Sequence, residues 1–185
     1  PVNVNGVYNL NSNFSYSRPV RFLKGTLELS ANTGYNRGKQ LVNTISGPVK
    51  ENRISVLSVG PELRLDMSPT EKLNLAVGTA LNHNNTKYSL QTGSNNNYLS
   101  QEYSASVDWE MPTGFFFSSD FTYTVNSQRA AGFNLKVPLW NASISKQMLR
   151  FNRGELKLAA RDLLNRNVGI SRNTSNSFIE DSRVL

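Results

Sequence analysis

The sequence predicts an all-β chain of about eight long, antiparallel, up-and-down strands forming a segment of a transmembrane β-barrel. Three observations carry that prediction. One strand pattern recurs four times, alternating apolar with small or polar residues; it opens at Leu27, Leu73, Phe117 and Leu156 and closes on Asn36, Asn82, Asn126 and Asn165. The starts are 39 to 46 residues apart, the length of one long β-hairpin unit. Between the copies, segments alternate with period two, so that one face is apolar and the other charged. The predicted connections alternate as well, short turns with long Asn-rich links.

Eight strands follow, at about 4–17, 25–36, 54–67, 72–84, 99–111, 115–126, 133–147 and 155–164. The second, fourth, sixth and eighth are the repeated copies. The third is the clearest: Leu57, Val59, Pro61, Leu63, Leu65 and Met67 fall on one face, and Ser58, Gly60, Glu62, Arg64 and Asp66 on the other. The fifth sets Leu99, Tyr103, Ala105, Val107, Trp109 and Met111 against Ser100, Glu102, Ser104, Ser106, Asp108 and Glu110. In the sixth, Phe115, Phe117, Phe121, Tyr123 and Val125 oppose Ser118, Asp120, Thr122, Thr124 and Asn126. Carboxylates on an inner face would destabilise a compact sandwich, since each unpaired buried one costs several kcal/mol. A water-filled lumen accepts them.

Strand length points the same way. A twelve-residue strand reaches roughly 40 Å and, tilted by about 40°, rises about 30 Å, enough to cross an apolar band of about 25 Å. Short turns are expected at 17–24, 68–71, 112–114 and 152–154, and long links at 37–53, 85–98, 127–132 and 166–183. That is the two-rim pattern of an outer-membrane barrel, long loops outside. Tyr35, Tyr88, Tyr98 and Tyr123 fall toward the long links, and Phe22, Trp109, Phe115, Phe116, Phe117 and Phe151 toward the short turns, as two interfacial girdles would. Cross-strand packing in any antiparallel sheet is the plainer account of the same rings.

Composition removes other classes. The 185 residues contain no apolar run long enough for a membrane helix, and low hydropathy says little about a barrel, whose strands spend half their residues on a polar lumen. Without cysteine there are no disulfides, thiolate metal sites or cysteine nucleophiles, and the single histidine, His83, makes no His-rich metal site. The net charge of +7 comes from basic residues spread along the whole chain rather than gathered into a stripe beside a nucleic-acid-binding module. Nucleic acid is therefore not an expected partner, whereas anionic lipid headgroups, lipopolysaccharide or plain solvation suit this distribution. No phosphate loop, dinucleotide fingerprint or Gly-x-Ser-x-Gly occurs, so no enzyme and no cofactor is expected. Asp108, Glu110 and Asp120 resemble paired catalytic carboxylates only because period-two spacing makes neighbours on any polar face; an ion-pair ladder with Arg64, Lys72 and Lys157 is the expected arrangement. The chain opens on Pro1-Val-Asn-Val without a charged and apolar leader, which reads as a cytosolic protein or an internal fragment, and the strands favour the fragment.

At Trp140-Asn-Ala-Ser-Ile-Ser-Lys146, at 154–167 with its Asp162-Leu-Leu-Asn165 element, and at Ser177-Phe-Ile-Glu-Asp181, the chain resembles the C-terminal barrel of TonB-dependent outer-membrane receptors. The likeness is greatest to the outer membrane protein β-barrel family, typical of receptors that also carry a carboxypeptidase-like module. The resemblance implies a bacterial outer-membrane location, uptake of a scarce solute, and a plug domain and the TonB complex as partners of the full-length protein. Residues 1–185 are then a single barrel segment without the plug, ending at Arg183-Val-Leu185 before the family's aromatic-ended closing strand. Asp162 and Asn165 match the bend near the outer end of the penultimate strand, where both can hydrogen-bond local backbone. Candidate ligand-facing residues are Glu62, Arg64, Glu102, Asp108, Glu110 and Asp120, together with links 37–53, 85–98 and 166–183. A self-contained eight-stranded structural or adhesive barrel and a soluble binding module are the competing expectations.

Overall fold

In a computed structural model of the chain, the described residues are 6–44, 47–90, 92–112, 114–127, 136–148, 153–166, 169–174 and 179–184. Eight strands form one sheet: β1 (Tyr8–Val20), β2 (Gly25–Thr44), β3 (Gly47–Thr70), β4 (Leu73–Tyr88), β5 (Asn96–Glu110), β6 (Phe115–Ser127), β7 (Lys136–Met148) and β8 (Gly154–Ala160). Each pairs antiparallel with its chain neighbours, in the order β1 to β8, and the sheet is open. β9 (Gly169–Thr174) and β10 (Ile179–Val184) form a separate two-stranded sheet.

The register turns the sequence alternation into two continuous faces. One row runs Ser15, Ser30, Glu62, Ala80, Glu102 and Thr124 across β1 to β6; the next runs Tyr16, Leu29, Leu63, Thr79, Tyr103 and Tyr123. A slip of one residue at any pair would mix the rows. Almost nothing covers the apolar face. Among the described residues only Ile54 and Tyr88 are buried hydrophobics, whereas Leu10 is 62% exposed, Leu63 42%, Val77 46% and Leu158 72%. At about 25 cal/mol per Å² of apolar surface removed from water, such a face demands an apolar solvent or partner. On β3 it runs from Leu57 to Met67, roughly 33 Å along the strand and about 25 Å in height once tilted, the thickness of an outer-membrane apolar band.

One rim is made of tight turns. Between β1 and β2 a 3-10 turn, Arg21–Leu23, ends on Lys24 in the left-handed region (φ 48°), whose N–H donates to the Arg21 carbonyl at 3.1 Å. The Ser68 N–H donates to the Lys24 carbonyl (2.9 Å) and the Glu110 N–H to the Lys72 carbonyl (2.7 Å), tying successive turns together. At Gly114 (φ 77°) the β5–β6 turn closes with a 3.0 Å bond to the Met111 carbonyl. Of the expected turn at 152–154, residue 152 lies outside the described residues, and Gly154 already opens β8.

The opposite rim departs from expectation. The link expected at 37–53 is mostly strand: β2 and β3 stay paired from Arg37 opposite Ser55 to Val42 opposite Lys50, forming a finger longer than the other hairpins. That finger stands beyond the apolar band, where no face has to meet hydrocarbon, so period-two alternation is not required there, and its loss reads as a loop. The link at 85–98 shrinks likewise, with β4 reaching Tyr88, β5 starting at Asn96 and a 3-10 turn at Thr92–Ser94 between them. The span 166–183 contains β9 and most of β10, and β8 stops at Ala160 rather than 164. The link at 127–132 and the start of the expected strand at 133–147 lie largely outside the described residues.

Asn52 locks the β4–β5 connection onto the finger. It is 1% exposed, and its Oδ1 accepts from the Leu90 N–H (3.1 Å) and the Ser89 hydroxyl (3.3 Å). Ser89 Oγ in turn accepts from the Arg53 N–H at 2.8 Å. Asn52→Ala removes the acceptor of the Leu90 N–H, and because Leu90 is 45% exposed the loss is that of one ordinary hydrogen bond, about 0.5–1.5 kcal/mol; faster amide exchange at Leu90 with the band strands unchanged is the expected result.

The rings divide between faces rather than forming two complete girdles. Tyr35, Trp109, Phe115, Phe117 and Tyr123 share the apolar face, while Tyr88, Tyr98 and Phe116 alternate onto the charged face, Tyr88 opposite Ile54 and Tyr98 opposite Asn84. Proximity to a rim in sequence does not fix a face; parity within the strand does.

Candidate functional site

The charged face gathers the six individually named candidates. Glu62 and Arg64 come from β3, Glu102, Asp108 and Glu110 from β5 and Asp120 from β6, all on the side of the sheet opposite Leu63 and Tyr103. Of the expected ladder one rung forms, Lys72 with Glu110, and the other charges pair elsewhere or stand alone. Arg64 forks onto Asp66 of its own strand, Nε to Oδ2 at 2.8 Å and Nη2 to Oδ1 at 2.8 Å. Lys72 Nζ meets Glu110 Oε1 at 2.9 Å, and Asp120 Oδ2 accepts from Asn141 Nδ2 at 2.6 Å. Among the described residues the side chains of Glu62, Glu102, Asp108 and Lys157 make no hydrogen bond or ion pair. Neighbouring strands set small or neutral residues beside the free carboxylates, Ala80 and Thr124 beside Glu102 and Asn74 and Ser118 beside Asp108, which is why the ladder does not continue past Lys72 and Glu110.

Two adjoining hollows lie on this face. The first, about 300 Å³, is lined by Lys72, Asp108, Glu110, Phe116, Ser145 and Lys157; the second, about 320 Å³, by Ser118, Asp120, Asn141, Ser143, Lys157 and Arg161. Ser118, Ser143 and Lys157 line both, so they form one polar trough over β5 to β8. Its free Asp108 carboxylate and its serine hydroxyls suit hydrogen bonding to a polar solute. Among the described residues no group of carboxylates and histidine could hold a metal ion.

Exposed carboxylates on a hydrated wall are insensitive to neutralisation. Glu102→Gln and Asp108→Asn are each expected to change unfolding free energy by less than about 0.5 kcal/mol. In the narrow core of a closed eight-stranded barrel both would be desolvated, and neutralising them would stabilise the fold. Denaturant titration of the two variants distinguishes the cases.

Asp162 and Asn165 sit just beyond β8, both at φ 50°, a region that Asp and Asn tolerate better than other non-glycine residues. The Asp162 carboxylate accepts from the Arg166 N–H at 2.9 Å, and the Asn165 N–H donates to the Asp162 carbonyl at 2.8 Å. Asn141, given no role by the sequence, connects this bend to the trough: its Oδ1 accepts from the Asp162 N–H at 2.9 Å while its Nδ2 holds Asp120. Only the β6–β7 register, Asp120 opposite Asn141, reveals that role.

An open, two-faced sheet with an uncovered apolar side and a charged trough is barrel-wall anatomy, and the sequence agrees. The model of the outer membrane protein beta-barrel family matches residues 5–184. The chain belongs to that family. No curated protein and no solved structure matches it. Membership carries an outer-membrane location, and it assigns the faces: the row through Leu63 toward lipid, the row through Glu62 toward the lumen.

Proposed function

We propose that the chain is part of the barrel wall of a TonB-dependent receptor in the bacterial outer membrane, taking up a scarce solute that is captured outside and passed inward when the plug rearranges. Transport, not catalysis, is the proposed activity; the full-length partners are a plug domain and the TonB complex. The observation that carries this reading is the open sheet. β1 and β8 each pair on one side only among the described strands, and backbone groups left unpaired at such edges are untenable in hydrocarbon. The chain's wall therefore continues into further strands and encloses a lumen wider than side chains fill, with Glu62, Glu102 and Asp108 facing its water. The resemblance of 140–146 and 154–167 to the C-terminal barrel of such receptors supports the finer assignment.

The coding region on both sides of the segment tests it. Several hundred upstream residues with a signal peptide and plug, and about 15 downstream residues forming an aromatic-ended strand, are expected. A signal peptide directly before Pro1 and a stop after Leu185 would overturn transport in favour of a small structural barrel.

A further inference from the structure

The lipid-facing side of the sheet does not end where its apolar band ends. Beyond Tyr35 on β2 come Arg37 and Lys39; beyond Leu57 on β3 comes Arg53; at the top of β4 stands Lys87. Parity puts all four on the outward face. Ser55 lies opposite both Arg37 and Lys87, and Arg53 lies opposite Lys39. The four cations therefore occupy two adjacent rows over three strands, a patch of roughly 10 by 7 Å at the backbone, within side-chain reach of one group. Along β3, Arg53 stands four residues past Leu57, roughly 13 Å along the strand, at headgroup height above the band.

The patch is held in place. Arg37 Nη1 donates to Tyr8 Oη at 3.4 Å, and its guanidinium lies 5.8 Å from the Tyr8 ring centre, leaving further N–H donors free. Glu51 Oε1 sits between Lys39 Nζ (3.1 Å) and Arg53 Nε (2.9 Å). The hydrogen bond from Arg53, then that from Lys39, holds the Glu51 carboxyl below the usual carboxylate range, so it stays ionised and spaces the two cations. One carboxylate against four cations leaves a surplus of positive charge. Lys87 is exposed and makes no hydrogen bond or ion pair among the described residues.

We infer that Arg37, Arg53 and Lys87, backed by the largely covered Lys39 (side chain 16% exposed), form a docking site for the phosphate of an outer-leaflet glycolipid of the lipopolysaccharide class. Position and charge together select that occupant: the patch faces away from the lumen, adjoins the acyl-chain band, and offers several donors to one compact anion, as phosphate recognition requires. A solute travelling through the lumen would not meet it. The inference rests on the outer-membrane orientation with the finger outside, and not on transport.

The test uses the full-length protein in detergent, with native mass spectrometry reading the binding of phosphorylated lipid A, dephosphorylated lipid A and phosphatidylglycerol. Combined Arg37→Gln, Arg53→Gln and Lys87→Gln is expected to weaken phosphorylated lipid A at least about tenfold and Lys87→Gln alone about threefold. Arg18→Gln with Arg21→Gln at the opposite rim leaves it unchanged. Retention within about twofold by the triple variant overturns the site. So does equal binding of dephosphorylated lipid A by the unaltered protein, or an equal loss for phosphatidylglycerol, which would reduce the patch to general anion attraction. Should the triple variant not fold, unchanged binding by Lys87→Gln is the overturning result. A protein that binds the glycolipid yet accumulates no solute would remove the transport reading and leave this one standing.

Discussion

Leu63→Arg in the full-length protein is expected to lower the unfolding free energy by about 2–4 kcal/mol in lipid vesicles, the cost of an arginine facing hydrocarbon near the bilayer midplane. Leu63 lies on β3 between Leu57 and Met67, near the middle of the uncovered face, and is 42% exposed in the sheet. That exposure makes the substitution decisive. In a water-soluble module, charging a partly exposed leucine on the rim of no core would change stability by only about 0.5 kcal/mol in either direction. In lipid the same position has no water to receive the guanidinium except by snorkelling, and from the midplane the distance to either interface is at its greatest. The neighbouring residue provides the contrast. Glu62 belongs to the opposite row, and Glu62→Arg, facing lumen water, is expected to stay within about 0.5 kcal/mol. A large loss at 63 with none at 62 fixes both the solvent and the face; equal small effects would overturn the membrane reading.

How much of this was legible follows from where the chain meets two different solvents at once. Within the band, each strand divides lipid from water, so the alternation at 57–67 and 99–111 gives strand, face and register parity directly from residue types. Beyond the band that division ends, and the finger through Lys39 and Arg53 loses its pattern although its ladder continues. The face of an aromatic ring was legible by parity but not by nearness to a rim, as Tyr88 and Phe116 show. Pairing partners were least legible of all. Arg64 finds Asp66 two residues along its own strand rather than a carboxylate on β5, and Asn141 holds Asp120 across a register that local sequence does not specify. The bend at Asp162 and Asn165 was legible because the chemistry is local, an Asx side chain against backbone a few residues away.

Gly25 and Gly38 lie on the same strand and are expected to respond to alanine with opposite signs. Gly25 opens β2 directly after the left-handed Lys24, paired with Val20 on one side and Met67 on the other. A Cβ there would be driven into the Asp66 carbonyl oxygen and would stand 3.1 Å from both Cα and Cγ of Met67. The obstacle is backbone of the neighbouring strand, which cannot rotate aside as a side-chain tip can. Relief requires β2 and β3 to separate where Ser68 bonds back to Lys24, opening the base of the longest hairpin at the end away from its own turn. Gly25→Ala is therefore expected to destabilise by about 1–3 kcal/mol, the range for overpacking a site that relaxes only in part. At Gly38, opposite Ile54 on the finger, an added Cβ meets nothing within 4 Å. Alanine there narrows the unfolded ensemble without native strain and should stabilise by about 0.4–1 kcal/mol. Denaturant titration of both variants reads the difference. A neutral Gly25→Ala would mean that β2 and β3 part easily at this end and that the register is set by the apolar rows alone, whereas opposite signs show that the open end of the hairpin shares in fixing it.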